Sequence, residues 1–550
     1  MPPRGADPVA GTRIGCLGSA RVERLLALHG PTPAGPTGGA GTVIPERVDV
    51  IVVGGGPVGC GLSLLLAARG RRVLVVERHT SPYPLPRAVH FDDETARILQ
   101  ACGIGATLPE FSEPATTYEW RNGQGVPLLR FETPADGRQG WPSANMFNQP
   151  DLEARLLGQV DASADITMLW GHQVVGAGQD DGSAWVDMGA VGSGGRTRVA
   201  ASYVVGCDGA NSTVRDGLGV TFDDRGFFFD WLVVDVSLHE PRVFDPPNLQ
   251  VCDPGRPTTV VSGGPGRRRW EFMCLPGETL ETLDEASAAW GFLAPWGVRP
   301  DNATMVRHAG YRFRARWATR WHAGRVFLAG DAAHQTPPFA GQGMCAGLRD
   351  AANLAWKLDY ALGHPGATAL LDTYDTERIP QAAAVIEVAT ELGRVICIPD
   401  EEEARVRDDQ LAPFVPDVGG TPAPPLPGIS GGILSDSASA GELFIQSTVG
   451  IGGRTGLLDD VVGAGWHLVT SGDRSALRGD DATWFGSIGG RVVALGAGVE
   501  DVDGRYGRWF ADHGVVAVLE RPDFAIYGTA TTDREVGALI TGLRECLYAP

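Results

Sequence analysis

The sequence predicts an α/β protein with a discontinuous parallel-sheet domain, an inserted β-rich domain and a small C-terminal α/β domain. A strand–helix–strand unit begins at Val48, where VDVIVV precedes an apolar helix and the strand RRVLVVE. Two later segments, at 203–219 and 323–362, repeat the pattern of a strand running into glycine, and β-rich sequence separates them. A Pro/Gly-rich stretch at 411–432 then precedes short apolar strands and a predicted final helix, Asp533–Leu547.

The domain boundaries follow from these changes in pattern. Residues 1–45 are rich in Gly, Pro and Ala, which predicts a flexible leader or a mis-assigned translation start. The predicted pieces are 46–165, 200–225 and 320–395 for the parallel-sheet domain, 166–199 and 226–319 for the β-rich domain, 396–435 for a linker and 436–550 for the C-terminal domain.

Composition excludes several classes of function. The formal net charge of −20 argues against nucleic acid as a partner, because phosphate binding needs a basic surface. No apolar run approaches the roughly 18 residues of a membrane span, and Met1–Thr42 lacks the apolar core of a signal peptide, so we expect a cytoplasmic protein. The nine cysteines include no CxxC pair, which predicts reduced thiols and no metal site.

The first strand runs into GGGPVG, which matches the GxGxxG pattern of a Rossmann-like dinucleotide-binding domain. Gly54 would allow a tight turn, Gly56 would keep a side chain away from a pyrophosphate, and Gly59 would let helix and strand approach closely. The helix N-terminus would offer free N–H groups to the phosphates, and Glu77 would accept hydrogen bonds from ribose hydroxyls. A Gly-rich turn in an unrelated α/β protein is the alternative. The predicted binding residues are Gly54, Gly56, Pro57, Val58, Gly59, Glu77 and Arg78.

A later segment indicates whether the bound dinucleotide is FAD or NAD. RVFLAGDAAH runs into Gly330 and Asp331, and PFAGQG and a helix follow. It resembles the GD motif of the class A flavoprotein monooxygenases, in which the Asp binds the ribityl chain of FAD. The start of the following helix would stabilise the negative charge of a reduced flavin. The cofactor residues implied here are Gly330, Asp331, Pro338, Gly341, Gln342, Gly343 and Met344.

Three further segments resemble the same family. VVGCDGANSTVR resembles its DG motif, in which Asp208 and Gly209 lie near the pyrophosphate and contribute to NAD(P)H use. PRAVHFDDE carries Arg87, which the family places over the flavin and its phosphates. NQPDLEARLL carries Gln149, which would reach the cofactor. An Asp-Gly turn and an ordinary helix N-terminus are the alternatives for the first and the last segment.

Together with LRDAANLAWKL and RRRWEFMCLPGE, these motifs resemble the 3-(3-hydroxyphenyl)propionate/3-hydroxycinnamate hydroxylases and their phenol hydroxylase-like relatives. The resemblance implies a p-hydroxybenzoate hydroxylase-like fold, with a Rossmann-like FAD-binding domain and an inserted β-sheet substrate domain. The C-terminal unit more loosely resembles a thioredoxin-like domain. It lacks CxxC, so the expected role is structural or in subunit contact, which would suit a homodimer.

The resemblance also implies the chemistry, an NAD(P)H- and FAD-dependent monooxygenase that hydroxylates a phenolic compound of the 3-(3-hydroxyphenyl)propionate type. Tightly bound FAD would be reduced by NAD(P)H, and O2 would add to it as a C4a-hydroperoxide that an electron-rich ring attacks. Pro337, Pro338 and Phe339 would form a dry wall at the reactive face, and the same segment would form the turn between strand and helix. His90 is the candidate for contact with the substrate hydroxyl, with a satisfied structural histidine as the alternative. Asp92 and Asp93 would orient His90 or cap the next helix.

Other assignments remain open at this point. A propionate-type substrate would need a cation, and solvent exposure is the default expectation for the candidate arginines. These candidates are Arg256, Arg267, Arg268 and Arg269. The rival functions are a tailoring monooxygenase for a polyketide or other large aromatic product, an FAD dehydrogenase that does not use O2, and a flavin-binding protein without catalysis.

Overall fold

The structure is a computed structural model that describes residues 45, 48–414, 420, 426–472, 477 and 479–548. The predicted leader lies outside the described residues except for residue 45. No helix among the described residues is both long and apolar enough to cross a membrane.

The described strands, in chain order, are β1 (Val48–Val53), β2 (Val73–Val76), β3 (His90–Asp92), β4 (Ser112–Pro114), β5 (Thr117–Asn122), β6 (Pro127–Glu132), β7 (Ala144–Phe147), β8 (Ile166–Leu169), β9 (His172–Gln179), β10 (Ala184–Ala190), β11 (Thr197–Gly206), β12 (Phe222–Leu238), β13 (Asn248–Cys252), β14 (Thr258–Ser262), β15 (Arg267–Met273), β16 (Ala303–Ala318), β17 (His322–Ala323), β18 (Val326–Leu328), β19 (His334–Gln335), β20 (Thr448–Ile451), β21 (Arg454–Leu457), β22 (His467–Thr470), β23 (Arg491–Ala494), β24 (Glu500–Asp501), β25 (Ala517–Glu520) and β26 (Ile526–Ala530).

The described α-helices are α1 (Pro57–Ala67), α2 (Asp93–Ala101), α3 (Leu108–Phe111), α4 (Gln149–Ala162), α5 (Thr213–Gly217), α6 (Leu280–Leu283), α7 (Ala286–Leu293), α8 (Gly343–Gly363), α9 (Ala369–Ile396), α10 (Glu401–Leu411), α11 (Leu458–Val462), α12 (Asp480–Ser487), α13 (Arg505–His513) and α14 (Asp533–Tyr548).

The first sheet has the strand order β17-β18-β11-β1-β2-β8, and β9 and β10 extend it from β11. Strand β1 pairs in parallel with β2 and β11, as a Rossmann-like domain requires. Its residues are almost wholly buried, because helix α1 packs against both α4 and α8 over the sheet. The α/β architecture expected from the first strand–helix–strand unit is therefore confirmed.

The second sheet is mostly antiparallel and has the order β19-β16-β12-β15-β14-β13-β5-β6. The long strands β12 and β16 pair along most of their length and form its centre. One apolar cluster packs this sheet against the short helix α7. Another cluster, on residues including Trp231 and Phe313, packs against Phe339, which follows the first sheet's strand β18. The second sheet thus faces the predicted cofactor segments.

Three predicted boundaries differ from the structure. The sequence assigns 166–199 to the inserted domain, but β8, β9 and β10 hydrogen-bond into the first sheet. Strands β5 and β6, assigned to the first domain, instead pair within the second. Short alternating strands have the same pattern in either sheet, so composition does not assign them. The predicted linker contains helix α10, whose start is fixed by the side chain of Asp400, an N-cap signal that composition alone obscures.

The C-terminal domain has a four-stranded sheet, β23-β22-β25-β26, covered by helices including α14. It is held to the rest of the chain by two buried ion networks. Arg97 of helix α2 binds Asp459 at 2.7 Å and Glu520 at 2.9 Å. Arg521 binds Glu377 of helix α9 at 2.6 Å. Pairs this deeply buried require close packing, so this domain is a fixed part of the molecule.

Candidate functional site

The glycines after β1 divide into those required by the protein's own packing and one that opens onto free space. Gly54 has φ +105°, and a Cβ there would lie 2.4 Å from the carbonyl oxygen of Cys207. A Cβ on Gly59 would lie 2.0 Å from the carbonyl oxygen of Gly54. A Cβ on Gly56 would meet no atom within 4 Å. Gly56 also begins helix α1 without a side-chain cap, and Pro57 follows it, so the first turn has N–H groups free for an anion.

Glu77 lies beside this loop, and its carboxylate is fixed by backbone donors. Its Oε2 accepts the N–H of Gly55 at 2.8 Å, and its Oε1 accepts the N–H of His79 at 2.8 Å. Each oxygen keeps a further lone pair, so the carboxylate can also accept hydrogen bonds from a ribose. Arg78 is exposed next to it.

The GD turn joins β18 to the packing of two helices. Gly330 has φ +61°, and a Cβ there would lie 3.1 Å from a methyl group of Val58. A Cβ on Gly347 in helix α8 would lie 2.6 Å from the same methyl group. Asp331 is exposed and accepts no hydrogen bond from another described residue, although its dense surroundings raise the pKa of its carboxyl group. That carboxylate is available to a ligand hydroxyl.

A buried carboxylate that sequence reasoning missed holds this turn in place. Asp350 accepts hydrogen bonds from the N–H of Gly330 at 2.9 Å, from Nε2 of His334 at 2.7 Å and from Nε of Arg378 at 2.9 Å. Burial alone would raise the pKa of Asp350, but His334 and Arg378 hold it below the ordinary value. The segment LRDAANLAWKL, noted only for its family resemblance, was the available signal.

Phe339 belongs to an aromatic wall between the two sheets. Its ring lies edge-on to Trp231 at 5.8 Å, to Phe313 at 6.0 Å and to Phe227 at 6.3 Å. Pro338 precedes it and is half-buried. Such a wall can exclude water from a neighbouring ligand, which supports the predicted role of both residues without testing it.

Helix α8 begins at Gly343 with no side-chain cap on its N-terminus, although Gln342 holds the N-cap position. The Oε1 atom of Gln342 instead accepts a hydrogen bond from Arg349 at 2.8 Å. Gly341 turns with φ +64° and Met344 is half-buried in the first turn. The N–H groups of this helix start are therefore not taken by a side-chain cap, and they can face an anionic ring.

His90 packs against this helix start. Its Nδ1 lies 3.3 Å from the carbonyl oxygen of Gly341, and burial lowers the pKa of His90, which Asp92 partly offsets. A pKa below the ordinary value keeps His90 neutral near pH 7. Its proposed contact with the substrate stays a prediction.

The two aspartates after His90 have structural partners. Asp92 caps helix α2 through the N–H of Thr95 and binds Arg349 at 2.5 Å. Burial opposes the charge, yet Arg349 lowers the pKa of Asp92 to about 2. Asp93 accepts the N–H of Gln139 at 3.0 Å, and burial raises its pKa to about 6. Of the two predicted roles, capping describes Asp92.

The DG segment also caps its own helix. The Oδ2 of Asp208 accepts the N–H of Thr213 at 2.7 Å. Gly209 turns with φ +78° and faces free space. Arg215, at the end of the motif, donates to the carbonyl oxygen of Ala332 at 3.2 Å, which ties this segment to the GD turn. The contacts of Asp208 match the strand-ending turn that was the alternative for this motif, and its contribution to NAD(P)H use stays a prediction.

Gln149 has both ends of its amide engaged within the protein. It accepts the N–H of Ala88 at 2.7 Å and donates to Glu153 at 2.6 Å. It therefore shapes the segment that carries Arg87. The guanidinium of Arg87 is exposed and stacks 4.5 Å from the ring centroid of Tyr83, so it remains accessible to a ligand.

The four arginines considered for a substrate carboxylate all have acceptors already, and two of them are buried rather than exposed. The pairs are Arg256 with Glu278 at 2.6 Å, Arg267 with Asp151 at 3.0 Å, Arg268 with the carbonyl oxygen of Pro247, and Arg269 with Asp235 at 2.7 Å. Arg268 is 5% and Arg269 4% exposed. The default expectation of exposure is therefore wrong for Arg268 and Arg269.

Comparison with known proteins identifies the family. A family model described as an FAD binding domain matches residues 47–389, more than half of the chain. The chain belongs to the FAD-dependent flavoprotein hydroxylases. A second model, the HcaD C-terminal domain, matches residues 441–545. FAD is thus the cofactor and NAD(P)H the co-substrate of this flavoprotein monooxygenase.

Known relatives align with this chain over nearly its whole length. A "Probable NADH-specific resorcinol 4-hydroxylase" of Rhodococcus jostii is 40% identical over 90% of this chain and 94% of its own. A 3-(3-hydroxy-phenyl)propionate/3-hydroxycinnamic acid hydroxylase of Mycobacterium sp. (strain KMS) is 34% identical over 90% of this chain and 91% of its own. Among solved structures, the flavin-dependent monooxygenase PieE has a TM-score of 0.76 at 23% identity, covering 92% of this chain and 100% of PieE. At that identity the likeness shows the fold.

The residues of this flavoprotein fit FAD. The loop at Gly56 opens onto free space, and two helices begin without side-chain caps. The open carboxylate of Asp331 lies at the end of β18, where it can accept hydrogen bonds from a sugar-like chain. These features would serve the pyrophosphate, the flavin ring and the ribityl chain, respectively.

Proposed function

We propose that this flavoprotein hydroxylates a small phenolic ring bound between the second sheet and the flavin. The observation that carries the proposal is the aromatic wall that Phe339, shortly after the cofactor-binding turn, forms with Trp231 and Phe313 of the second sheet. Relatives of 40% and 34% identity, named for resorcinol and 3-(3-hydroxyphenyl)propionate, support a phenolic substrate.

Tyr311 adds a hydroxyl to this wall that sequence reasoning missed. Its ring lies 4.9 Å from Phe313, and 48% of the residue is exposed. The protein around its hydroxyl disfavours the charged form and, with the neighbouring charge of Asp331, raises the pKa of Tyr311 to about 12. The phenol therefore stays protonated near neutral pH and can donate a hydrogen bond to the oxygen of a substrate.

Bound FAD would accept electrons from NAD(P)H and would activate O2. The protein's own residues bind the cofactor, orient the substrate and shield the site from water. The loop at Gly56 and the carboxylates of Glu77 and Asp331 would hold the cofactor. Phe339 would exclude water, and neutral His90 would accept a hydrogen bond or proton from the substrate hydroxyl.

The test is NADH and NADPH oxidation with O2 uptake by the purified yellow protein, with and without resorcinol, phenol and 3-(3-hydroxyphenyl)propionate. We expect stimulation and one hydroxylated product per NAD(P)H consumed. Bound FAD with no stimulation by any phenol would favour a larger tailoring substrate. Oxidation of a substrate without O2 uptake would favour a dehydrogenase, and protein without FAD would contradict the proposal.

The proposal includes a cytoplasmic enzyme that does not bind nucleic acid, which the net charge of −20 supports. It also includes a homodimer that uses the C-terminal domain for subunit contact. Sedimentation of the FAD-loaded protein tests the dimer, and a single monomeric species would contradict it.

A further inference from the structure

Glu271 lies on the face of the second sheet that contacts the cofactor-binding segments. Strand side chains alternate between faces, so Arg269, Glu271 and Met273 of β15 share one face. Arg269 donates to the carbonyl oxygen of Arg87 at 2.5 Å, and Met273 belongs to the apolar cluster on which Phe339 packs. Glu271 therefore lies between two points at which the sheet contacts the cofactor-binding segments.

The carboxylate of Glu271 lacks a hydrogen-bond donor among the described residues. Its nearest cation, Nη1 of Arg269, is 3.6 Å away, which is too long for a hydrogen bond. The side chain retains 12% exposure, so part of it is accessible to a ligand. Buried carboxylates are normally satisfied by donors, and here a ligand can supply one.

The charges around Glu271 do not favour a second carboxylate. Asp235 binds Arg269 through both oxygens, at 2.7 and 2.9 Å. Arg307, the other guanidinium near this pair, donates to the carbonyl oxygen of Pro86. Arg269 and Arg307 thus face two carboxylates. The third nearby guanidinium, that of Arg87, stacks on Tyr83 and is the one predicted to bind the cofactor, so none of the three is left over for a propionate group. A neutral hydroxyl is the group that matches this wall.

We propose that Glu271 accepts a hydrogen bond from a ring hydroxyl of the substrate and makes the enzyme selective for a neutral dihydroxybenzene over a phenol with a carboxylate side chain. This inference rests on the proposed function. The aromatic wall would hold the ring, Tyr311 and His90 would face one hydroxyl, and Glu271 would bind the other. Glu271 is then a specificity-determining residue.

The experiment compares resorcinol, phenol and 3-(3-hydroxyphenyl)propionate with the FAD-loaded wild type, Glu271→Gln and Glu271→Met. Substrate binding is measured from the perturbation of the flavin spectrum, and turnover from quantified hydroxylated product. For the wild type we expect the highest kcat/KM with resorcinol. For Glu271→Met we expect resorcinol binding to weaken about tenfold, as for a lost hydrogen bond to a charged group. Glu271→Gln keeps an amide oxygen that can accept the bond, so it should weaken resorcinol binding less, and phenol binding should change by less than about twofold in both variants.

Glu278→Gln is the matched control, because Glu278 lies near the same strand but is paired with Arg256 and partly exposed. It should leave the ranking of substrates unchanged. A wild type that prefers the propionate, or Glu271 variants that weaken all three ligands equally, would overturn the inference while leaving the proposed function intact. If the variants fail to retain FAD, the wild-type ranking still decides. If no phenol gives product with the wild type, the proposed function itself fails.

Discussion

Glu377 and Arg378 are consecutive residues of helix α9 that belong to different buried networks. Glu377 binds Arg521 of the C-terminal domain at 2.6 Å. Arg378 binds Asp350, which in turn accepts the N–H of Gly330 in the cofactor-binding turn. One turn of helix therefore connects the docking of the C-terminal domain with the geometry of the flavin site.

Replacing Arg521 should disturb the network of Glu377 directly and, through helix α9, the network of Arg378 and Asp350. Arg521→Gln leaves Glu377 and Asp523 as buried carboxylates without their main cation, which costs about 3–5 kcal/mol in comparable pairs. We expect a lower Tm together with reduced FAD retention, measured by thermal unfolding and flavin content. Arg544→Gln is the control, because Arg544 is exposed in the same domain. A lower Tm with unchanged FAD retention for Arg521→Gln would refute the coupling.

The glycine loop offers a contrast between cofactor binding and folding. Gly56→Ala places a methyl group in free space, so the apoprotein should lose at most about 1 kcal/mol through its weaker N-cap, while FAD affinity falls. Gly59→Ala forces a clash with the backbone of Gly54 and should prevent normal folding. Flavin titration and the Tm of both apoproteins provide the measurement. Equal FAD affinity for Gly56→Ala and wild type would show that the open space is not used by the pyrophosphate.

Asp350→Asn should loosen the GD turn. The variant keeps the shape of the side chain but removes the charge that His334 and Arg378 share. We expect FAD to bind at least tenfold more weakly, with a loss of about 3 kcal/mol in stability. Asp359→Asn is the control, since Asp359 is partly exposed and pairs with Arg71, and such pairs contribute about 0–1 kcal/mol. Identical flavin dissociation constants for Asp350→Asn and wild type would exclude this role.

Asp93 gives a pH dependence with a defined sign. Its folded-state pKa is raised from 3.8 to about 6, so the folded protein binds this proton more tightly than the unfolded chain does. The stabilisation is complete below about pH 4 and is lost as the pH rises through about 6. Asp93→Asn has no carboxyl group to lose this proton. Its free energy of unfolding, relative to that of wild type, should therefore rise by about 1–3 kcal/mol from pH 4 to pH 7.5. Urea unfolding at both pH values measures it, and exposed Asp136 is the control position.

Local patterns predicted the parts of the site that depend on neighbours in sequence. The turns at Gly54 and Gly330 and the uncapped helix starts follow from glycine spacing and apolar strands. The roles of Asp350 and Glu271 depend on partners brought together by long-range packing, which no local pattern encodes. For the same reason, the burial of Arg269 and the sheet membership of 166–199 emerged only from the fold.

Lys357 is the only lysine of the chain, and it is fully buried against Glu377. Burial lowers the pKa of its ammonium group to about 8, with Glu377 partly offsetting this effect. An acylating dye aimed at lysine therefore has no accessible side chain while the C-terminal domain stays docked. The rate of dye incorporation at Lys357 therefore measures how often that interface opens. Bound FAD should lower this rate if helix α9 connects the network of Glu377 with that of Arg378.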